Sequence, residues 1–253
     1  FDPGSRFQAL TTAASTAAAG IAAVHLHRLG VPSVTCTVPG AGPQTSSFLR
    51  DAGVIPLTFA SEAVARSDNF HLIFEYSPGL VPPAEGVVVR NNRFIVSPVH
   101  DASTMIIPDA SMDVFLEQIH SCRRAFLSGY QYLRTEQEFV MAARQIRLIR
   151  GVHPLMRTHV ECVSGVGPDV IAMMLRHILP AADSIGLNER ELGMFTRVVR
   201  KEDPASPSPP PSSPITTLRD AVSLADATGV SRLISSAARP FRCCFPSRSI
   251  RAF

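Results

Sequence analysis

The stretch that decides the fold runs from Arg157 to Val198 and has the sequence RTHVECVSGVGPDVIAMMLRHILPAADSIGLNERELGMFTRV. Its first apolar run, 159–163, predicts a buried strand, and a helix-length segment follows over 168–179. A second short apolar run, 182–187, predicts another strand that ends directly before a second helical segment. Strand, helix, strand, helix is the repeating unit of a parallel α/β sheet, so the stretch predicts that class of fold.

Two carboxylates accompany the ends of these two strands. Glu161 lies in or near the end of the first, and Glu191 lies just past the end of the second. Ligands of parallel α/β sheets bind outside the carboxyl ends of the strands. Mg²⁺ takes one or two protein carboxylates and keeps its waters and substrate phosphates. The pattern therefore predicts a Mg²⁺ site, although a strand-end charge and an acid that favours the first turn of a helix would explain the same residues without a metal.

The motifs around these carboxylates resemble a known family. His159-x-Glu161 followed by Asn188-x-x-Glu191 resembles the HxE and NxxE pair of the ADP-dependent glucokinase and phosphofructokinase family. Similar segments occur in the family's order, and the similarity covers about residues 10 to 230; the segments are NFHLIFEY at 69–76, NRFI at 92–95, LSG at 127–129 and GLNERE at 186–191. The resemblance implies a three-layer, ribokinase-like (Rossmann-like) α/β core with a mainly parallel sheet, here incomplete. It also implies phosphoryl transfer from ADP to glucose or fructose 6-phosphate.

The resemblance also implies roles for particular residues. Glu161 and Glu191 would be the Mg²⁺ residues, and His159 and Asn188 would be the partners that hold those carboxylates. The implied partners are ADP or AMP and a hexose or hexose phosphate. We expect a monomer that binds neither nucleic acid nor membrane.

A second set of residues is implied on the sugar side of the site. In the run 70–76, every second residue faces the same side of the predicted strand, so His71, Ile73 and Glu75 share one face. A solvated sheet edge explains that face equally well. The resemblance instead places His71, Glu75, Arg93 and Gly129 near the sugar, and the first three lie in a segment (70–97) that would form a small lid or edge strands.

Two segments that the family uses for catalysis have no counterpart in this sequence. The family's catalytic aspartate lies in a Gly-x-Gly-Asp element, which these 253 residues lack. Its Gly-Gly-Asn-Ala turn is replaced by Ala-Ala-Ser-Thr at 13–16. We therefore assign no catalytic residue, expect no kinase activity from this chain alone, and interpret its start at Phe1 as a sign of a partial chain. The alternatives are a non-catalytic remnant or regulatory binding module of the same fold, and an ATP-dependent ribokinase-like sugar kinase.

Composition excludes several other functions. Hydrophobic residues make up 45% and charged residues 18%, and the net charge is +3, which describes a globular protein without a polybasic surface. The single lysine, Lys201, excludes a P-loop lysine or a Schiff base elsewhere. Five scattered cysteines without metal spacing fit a reducing compartment. We expect a cytoplasmic protein, or one of the endoplasmic reticulum lumen if a signal precedes this sequence.

The predicted organisation follows the apolar runs and the breaks between them. We expect strands of the sheet near 31–38, 125–128, 158–163 and 183–187. The predicted segments are a core over 8–200, a disordered Pro/Ser-rich segment over 201–214, a helix continuing the core over 215–234, and a disordered basic tail over 235–253.

Overall fold

The computed structural model describes residues 17–37, 42–57, 72–76, 92–96, 106–162, 166–202, 214–235 and 241–244. The chain divides into two compact units, Phe1–Thr104 and Met105–Phe253. The core predicted over 8–200 spans both units, and that domain boundary stays a prediction.

The first unit contains a small α/β element. Helix α1 (Ala17–Arg28) ends just before Gly30, whose φ of 89° is the left-handed conformation that glycine adopts without strain. Strand β1 (Thr35–Thr37), helix α2 (Pro43–Asp51) and strand β2 (Ile55–Leu57) follow. Strand β1 pairs in parallel with β2, not with the strands of the second unit as the sequence predicted. The core under this element is formed by Ala23, Val24, Val34, Cys36, Leu49 and Val54.

The same unit contains the predicted strands of the 70–97 segment. Strand β3 (Leu72–Tyr76) pairs antiparallel with β4 (Asn92–Val96) in a two-stranded sheet. The predicted strands are therefore confirmed where the structure describes them.

The second unit is built on a five-stranded sheet in the order β5-β6-β7-β8-β9. The first four strands are parallel, and β9 is antiparallel to β8. The strands are β5 (Arg124–Leu127), β6 (Arg157–Glu161), β7 (Ser184–Leu187), β8 (Arg232–Ser235) and β9 (Phe241–Cys244). The helices are α3 (Asp109–Gln118), α4 (Glu136–Gly151), α5 (Pro168–Met173), α6 (Glu189–Arg200) and α7 (Pro214–Thr228).

The two faces of this sheet differ in chemistry. Thr158, Val160, Ile185 and Leu233 are fully buried, and in β6 the two buried residues alternate with polar residues of the opposite face. Across β6 and β7 that opposite face includes His159, Glu161 and Ser184, all only partly buried. The buried face forms the core, and the polar face carries the predicted motif.

The helical segment between β6 and β7 changes its winding twice. Helix α5 passes into a π-helical turn (Met174–Ile178) and then a 3-10 turn (Leu179–Ala181). Pro180 has no N–H to donate to an α-helical bond, which accounts for the departure from regular α-helix at this end. The sequence predicted one uninterrupted helix here because apolar periodicity does not distinguish these windings.

The C-terminal part of the chain contains more strand than predicted. Residues 203–213 lie outside the described residues, so the prediction for 201–214 stays a prediction there. Helix α7 ends at Thr228 before Gly229 (φ 72°), and strand β8 occupies the end of the predicted helical segment 215–234. Strand β9 lies within 235–253, where we expected no regular structure. The free edge of β8 explains this, because it offers unpaired backbone groups to which a following segment can hydrogen-bond.

Candidate functional site

The carboxyl ends of β6 and β7 bring the two predicted motifs to one edge of the sheet. Glu161 is the last residue of β6 and pairs in register with Gly186 of β7. Asn188 directly follows β7 and caps helix α6, in whose first turn Glu191 lies. Because the two strands are adjacent and parallel, both motifs lie at the carboxyl ends of the strands, and ligands of such sheets bind next to these ends. The sequence prediction that 158–163 and 183–187 share a sheet is confirmed.

His159 connects Glu161 to the neighbouring strand. Its Nε2 lies 3.3 Å from Glu161 Oε2, and its Nδ1 lies 2.9 Å from Ser184 Oγ. The Phe126 ring lies beside the imidazole, with ring centroids 5.5 Å apart. The side chain of His159 is 21% exposed and that of Glu161 is 33% exposed. The predicted contact between His159 and Glu161 is confirmed, and it leaves the carboxylate accessible to a ligand.

Gly186 provides the space that this pair occupies. A Cβ at position 186 would overlap Glu161 Oε2 and would lie 2.8 Å from His159 Nε2. Both contacts are closer than van der Waals contact, so any side chain at this position would displace the carboxylate. The role of this glycine could not be predicted from the sequence, because the clash depends on the register between the two strands.

Asn188 and Glu191 form a capping box at the start of α6. Asn188 Oδ1 accepts a hydrogen bond from Glu191 N at 2.9 Å, and Glu191 Oε2 accepts one from Asn188 N at 2.8 Å. Glu191 is only 5% exposed, and the positive end of the helix dipole favours its charge. Glu191 therefore has the role in the first turn of a helix that the sequence offered as an explanation without a metal. It is compatible with a metal role because capping itself holds the carboxylate at the edge of the sheet.

The thiol of Cys162 is influenced by the charges of both Glu161 and Glu191. The Cys162 N–H donates a hydrogen bond to Gly186 O at 2.9 Å, so it continues the pairing beyond β6. Burial raises the pKa of the Cys162 thiol above its ordinary value, and the negative charges of Glu191 and Glu161 raise the pKa further. Both carboxylates therefore lie near enough to Cys162 for their charge to disfavour its thiolate.

These residues fit a magnesium ion that is held only in part by protein. Within the described residues, no group of three or more His, Cys, Asp or Glu side chains has the arrangement of a metal centre. Glu161 and Glu191 are carboxylates of the kind to which Mg²⁺ adds waters and substrate phosphates.

The predicted sugar-side residues are spread over both units. His71 lies outside the described residues. Glu75 and Arg93 are register partners in the β3–β4 ladder of the first unit. Gly129 lies in the second unit just past β5, with a φ of 100° that favours glycine.

Gln131 is a residue of this region that the sequence analysis missed. It lies in a 3-10 turn (Tyr130–Tyr132) that follows Gly129 at the carboxyl end of β5. The residue is only 7% exposed, and its Oε1 has no hydrogen-bond partner among the residues that the structure describes. A buried acceptor without a donor is costly, and such an atom often awaits a ligand or a water. The only sequence signal was its position just after a glycine turn at a strand end.

Comparison with solved structures defines the class of fold. An ADP-dependent kinase in complex with fructose 6-phosphate and ADPβS superposes with a TM-score of 0.69 at 21% identity, over 84% of this chain and 51% of that one. A phosphofructokinase from Pyrococcus horikoshii with AMP gives a TM-score of 0.63 at 19% identity, over 86% and 53% of the chains. Ribokinase from Giardia lamblia gives 0.58 at 9% identity, over 90% and 61%. The fold is ribokinase-like, which confirms the predicted α/β core.

The sequence comparison defines the family. The model of the ADP-specific phosphofructokinase/glucokinase conserved region matches residues 17–236, and the chain belongs to this family. A Caenorhabditis elegans protein named "Probable ADP-dependent glucokinase" is 27% identical over 137 residues, which are 52% of this chain and 26% of that protein. The ADP-dependent glucokinase of Bos taurus is 26% identical over 162 residues, 60% of this chain and 30% of that protein. The chain thus matches less than a third of the length of these two relatives.

Proposed function

We propose that this chain belongs to an ADP-dependent sugar kinase and supplies the part of the active site that binds the magnesium ion. The observation that carries the proposal is the placement of Glu161 and Glu191 at the carboxyl ends of adjacent parallel strands. Family membership supports the reaction, which is phosphoryl transfer from ADP to a hydroxyl of glucose or fructose 6-phosphate. A bound Mg²⁺ would neutralise charge on the nucleotide phosphates.

The protein's own residues would set the position of that ion. His159 holds the Glu161 carboxylate from within the sheet, and Asn188 holds Glu191 through the capping box. Hydrogen bonds that hold the two carboxylates in place would reduce the side-chain ordering that binding requires. Gly129 and Gln131 would face the sugar, since the buried Gln131 carbonyl can accept a hydrogen bond from a sugar hydroxyl.

The partners follow from the relatives and remain part of the proposal. Related structures hold fructose 6-phosphate with an ADP analogue, or AMP. We propose a nucleoside diphosphate and a hexose or hexose phosphate as ligands, and a monomer as the assembly. Within the described residues no helix is long and apolar enough to cross a bilayer. We keep the cytoplasm as the proposed compartment, with the endoplasmic reticulum lumen as the alternative.

The metal role is tested by Mg²⁺ titration calorimetry on the chain and on Glu161→Gln and Glu191→Gln. Glutamine at 191 can still accept the capping bond, so this substitution removes the charge while preserving the helix start. Glu189→Gln is the matched control, because Glu189 is an exposed acid in the same turn of α6. We expect weaker Mg²⁺ binding in both test variants and unchanged binding in the control. Equal affinities in all four proteins would contradict the proposal.

Turnover is tested separately by AMP release from ADP with glucose or fructose 6-phosphate. These 253 residues contain no Gly-x-Gly-Asp segment. We therefore expect ligand binding without turnover from this chain, and turnover from a longer chain that includes such a segment. ATP in place of ADP distinguishes the ATP-dependent alternative. A chain that binds neither nucleotide nor sugar would favour the non-catalytic remnant.

A further inference from the structure

A line of three polar side chains crosses from β7 to the carboxyl end of β6. Ser184 Oγ lies 2.9 Å from His159 Nδ1, and His159 Nε2 lies 3.3 Å from Glu161 Oε2. Ser184 and His159 are register partners on adjacent parallel strands, so they face each other on the same side of the sheet. The family motif includes the histidine and the glutamate, and Ser184 lies outside it.

The donors and acceptors that these groups carry determine which atom donates the proton in each of the two hydrogen bonds. An ionised carboxylate can only accept, so the contact to Glu161 requires a proton on His159 Nε2. A neutral imidazole carries one proton, so its Nδ1 must then accept. Ser184 Oγ is the group within reach of Nδ1, and its hydroxyl can donate that bond. The competing acceptor for the same hydroxyl, Thr158 O, is farther away at 3.4 Å.

We propose that Ser184 is a positioning residue that fixes the tautomer and rotation of His159, and through it the orientation of the Glu161 carboxylate. The proposal deepens the proposed metal site and rests on it only for the effect on Mg²⁺. Without the hydroxyl, His159 Nδ1 has no donor on this side. The ring can then rotate or change tautomer, and the Nε2–H bond to Glu161 is lost. Groups that orient a metal-binding side chain in this way typically change metal affinity about 10- to 100-fold when removed.

The location of the line supports a role in orientation. Phe126 lies against one side of the imidazole, and Gly186 leaves the space in which the carboxylate meets Nε2. Packing by Phe126 restricts the ring on one side, and the tautomer and the remaining rotation are left for Ser184 to set. The carboxylate itself is one-third exposed, so packing alone does not hold it.

The first test measures the tautomer directly in the whole chain. Long-range proton–nitrogen NMR spectra of the imidazole rings distinguish Nε2–H from Nδ1–H, and they are recorded at about pH 8, above the ordinary histidine pKa of about 6.5. We expect the Nε2–H form of His159 in the wild type, a mixed or Nδ1–H form in Ser184→Ala, and recovery of Nε2–H in Ser184→Thr, which keeps a hydroxyl. Ser231→Ala is the matched control, since Ser231 Oγ donates to Asp183 O at 3.1 Å and has no bond to His159.

The second measurement is Mg²⁺ affinity of the same four proteins. We expect Ser184→Ala to bind about 10-fold more weakly or worse, with Ser184→Thr and Ser231→Ala within about twofold of wild type. An Nδ1–H tautomer in the wild type, or an unchanged tautomer in Ser184→Ala, would overturn the proposal. If the wild type binds no Mg²⁺, the proposed metal site fails, and the NMR spectra still decide whether Ser184 fixes His159.

Discussion

Replacing Gly186 with alanine should weaken Mg²⁺ binding at the proposed site and leave the stability of the fold nearly unchanged. The added Cβ would overlap Glu161 Oε2 and would lie 2.8 Å from His159 Nε2 and 2.9 Å from Glu161 Cδ. The nearest of these atoms belongs to the end of a flexible side chain that is one-third exposed. The carboxylate can therefore rotate away, which breaks its bond to His159 without moving the backbone.

The energetic consequence follows from two opposing terms. Forcing a side chain away from its preferred rotamer costs about 0.5–1.5 kcal/mol. Replacing glycine by alanine inside a strand returns about 0.5–1 kcal/mol of backbone entropy. We expect the free energy of unfolding of Gly186→Ala to stay within about 1 kcal/mol of wild type, while Mg²⁺ affinity falls about 10- to 100-fold.

The assay combines urea unfolding with Mg²⁺ calorimetry on the same preparations. Gly193→Ala is the matched control, because an added Cβ there meets nothing within 4 Å and lies in helix α6. That variant should gain about 1 kcal/mol of stability and leave Mg²⁺ binding unchanged. Wild-type Mg²⁺ affinity in Gly186→Ala would refute the reasoning, since the displaced carboxylate would then have no part in holding the ion.

Three further predictions concern stability and reactivity away from the metal residues. Asp183 Oδ2 accepts hydrogen bonds from both the N–H and the hydroxyl of Thr158 at 2.8 and 3.1 Å, so alanine at 183 should lower the free energy of unfolding by about 3 kcal/mol in urea titrations, and a loss under about 1 kcal/mol would contradict this role. Hydrogen bonds from His177 and then Arg176 lower the pKa of Glu136 below 4.5. The ionised carboxylate therefore stabilises the fold above that pH, and this contribution is lost as the pH falls through the lower pKa of the folded state. Unfolding midpoints measured from about pH 5 to 3 should fall less steeply in Glu136→Gln, and parallel curves would count against the prediction. Burial raises the pKa of Cys36 to about 11, so iodoacetamide should alkylate the less buried Cys122 faster in native protein whose last two cysteines are serine; equal rates would show that the burial is not maintained in solution.

The local sequence was sufficient to predict the elements on either side of the site. Apolar runs of five and six residues predicted β6 and β7, and the order of strands and helices predicted a parallel sheet. Asn188 with an acid three residues later is a capping-box signature, so the start of α6 was predictable within a residue. Each of these signals acts over one to four residues, which is the distance over which sequence patterns constrain the backbone.

The sequence did not predict strand β8 or the pairing of β9. Both are short, and the composition of 235–253 suggested disorder. Strand β9 is stabilised by hydrogen bonds from the edge of β8, a partner that exists only after the sheet has assembled. A strand of this kind has little signal of its own, because its stability comes from the neighbouring strand.

The candidate site shows the same division between local and tertiary information. The sequence alone determined that an HxE and an NxxE motif lie at the ends of two strands, because strand ends, helix caps and motifs are local patterns. Only the tertiary structure decided that Ser184 meets His159 and that Gly186 makes room for Glu161, because both depend on the register between β6 and β7. A shift of one residue in that register would turn these side chains to the opposite face. Register is fixed by burial of Val160 and Ile185 across the whole sheet, and no short motif encodes it.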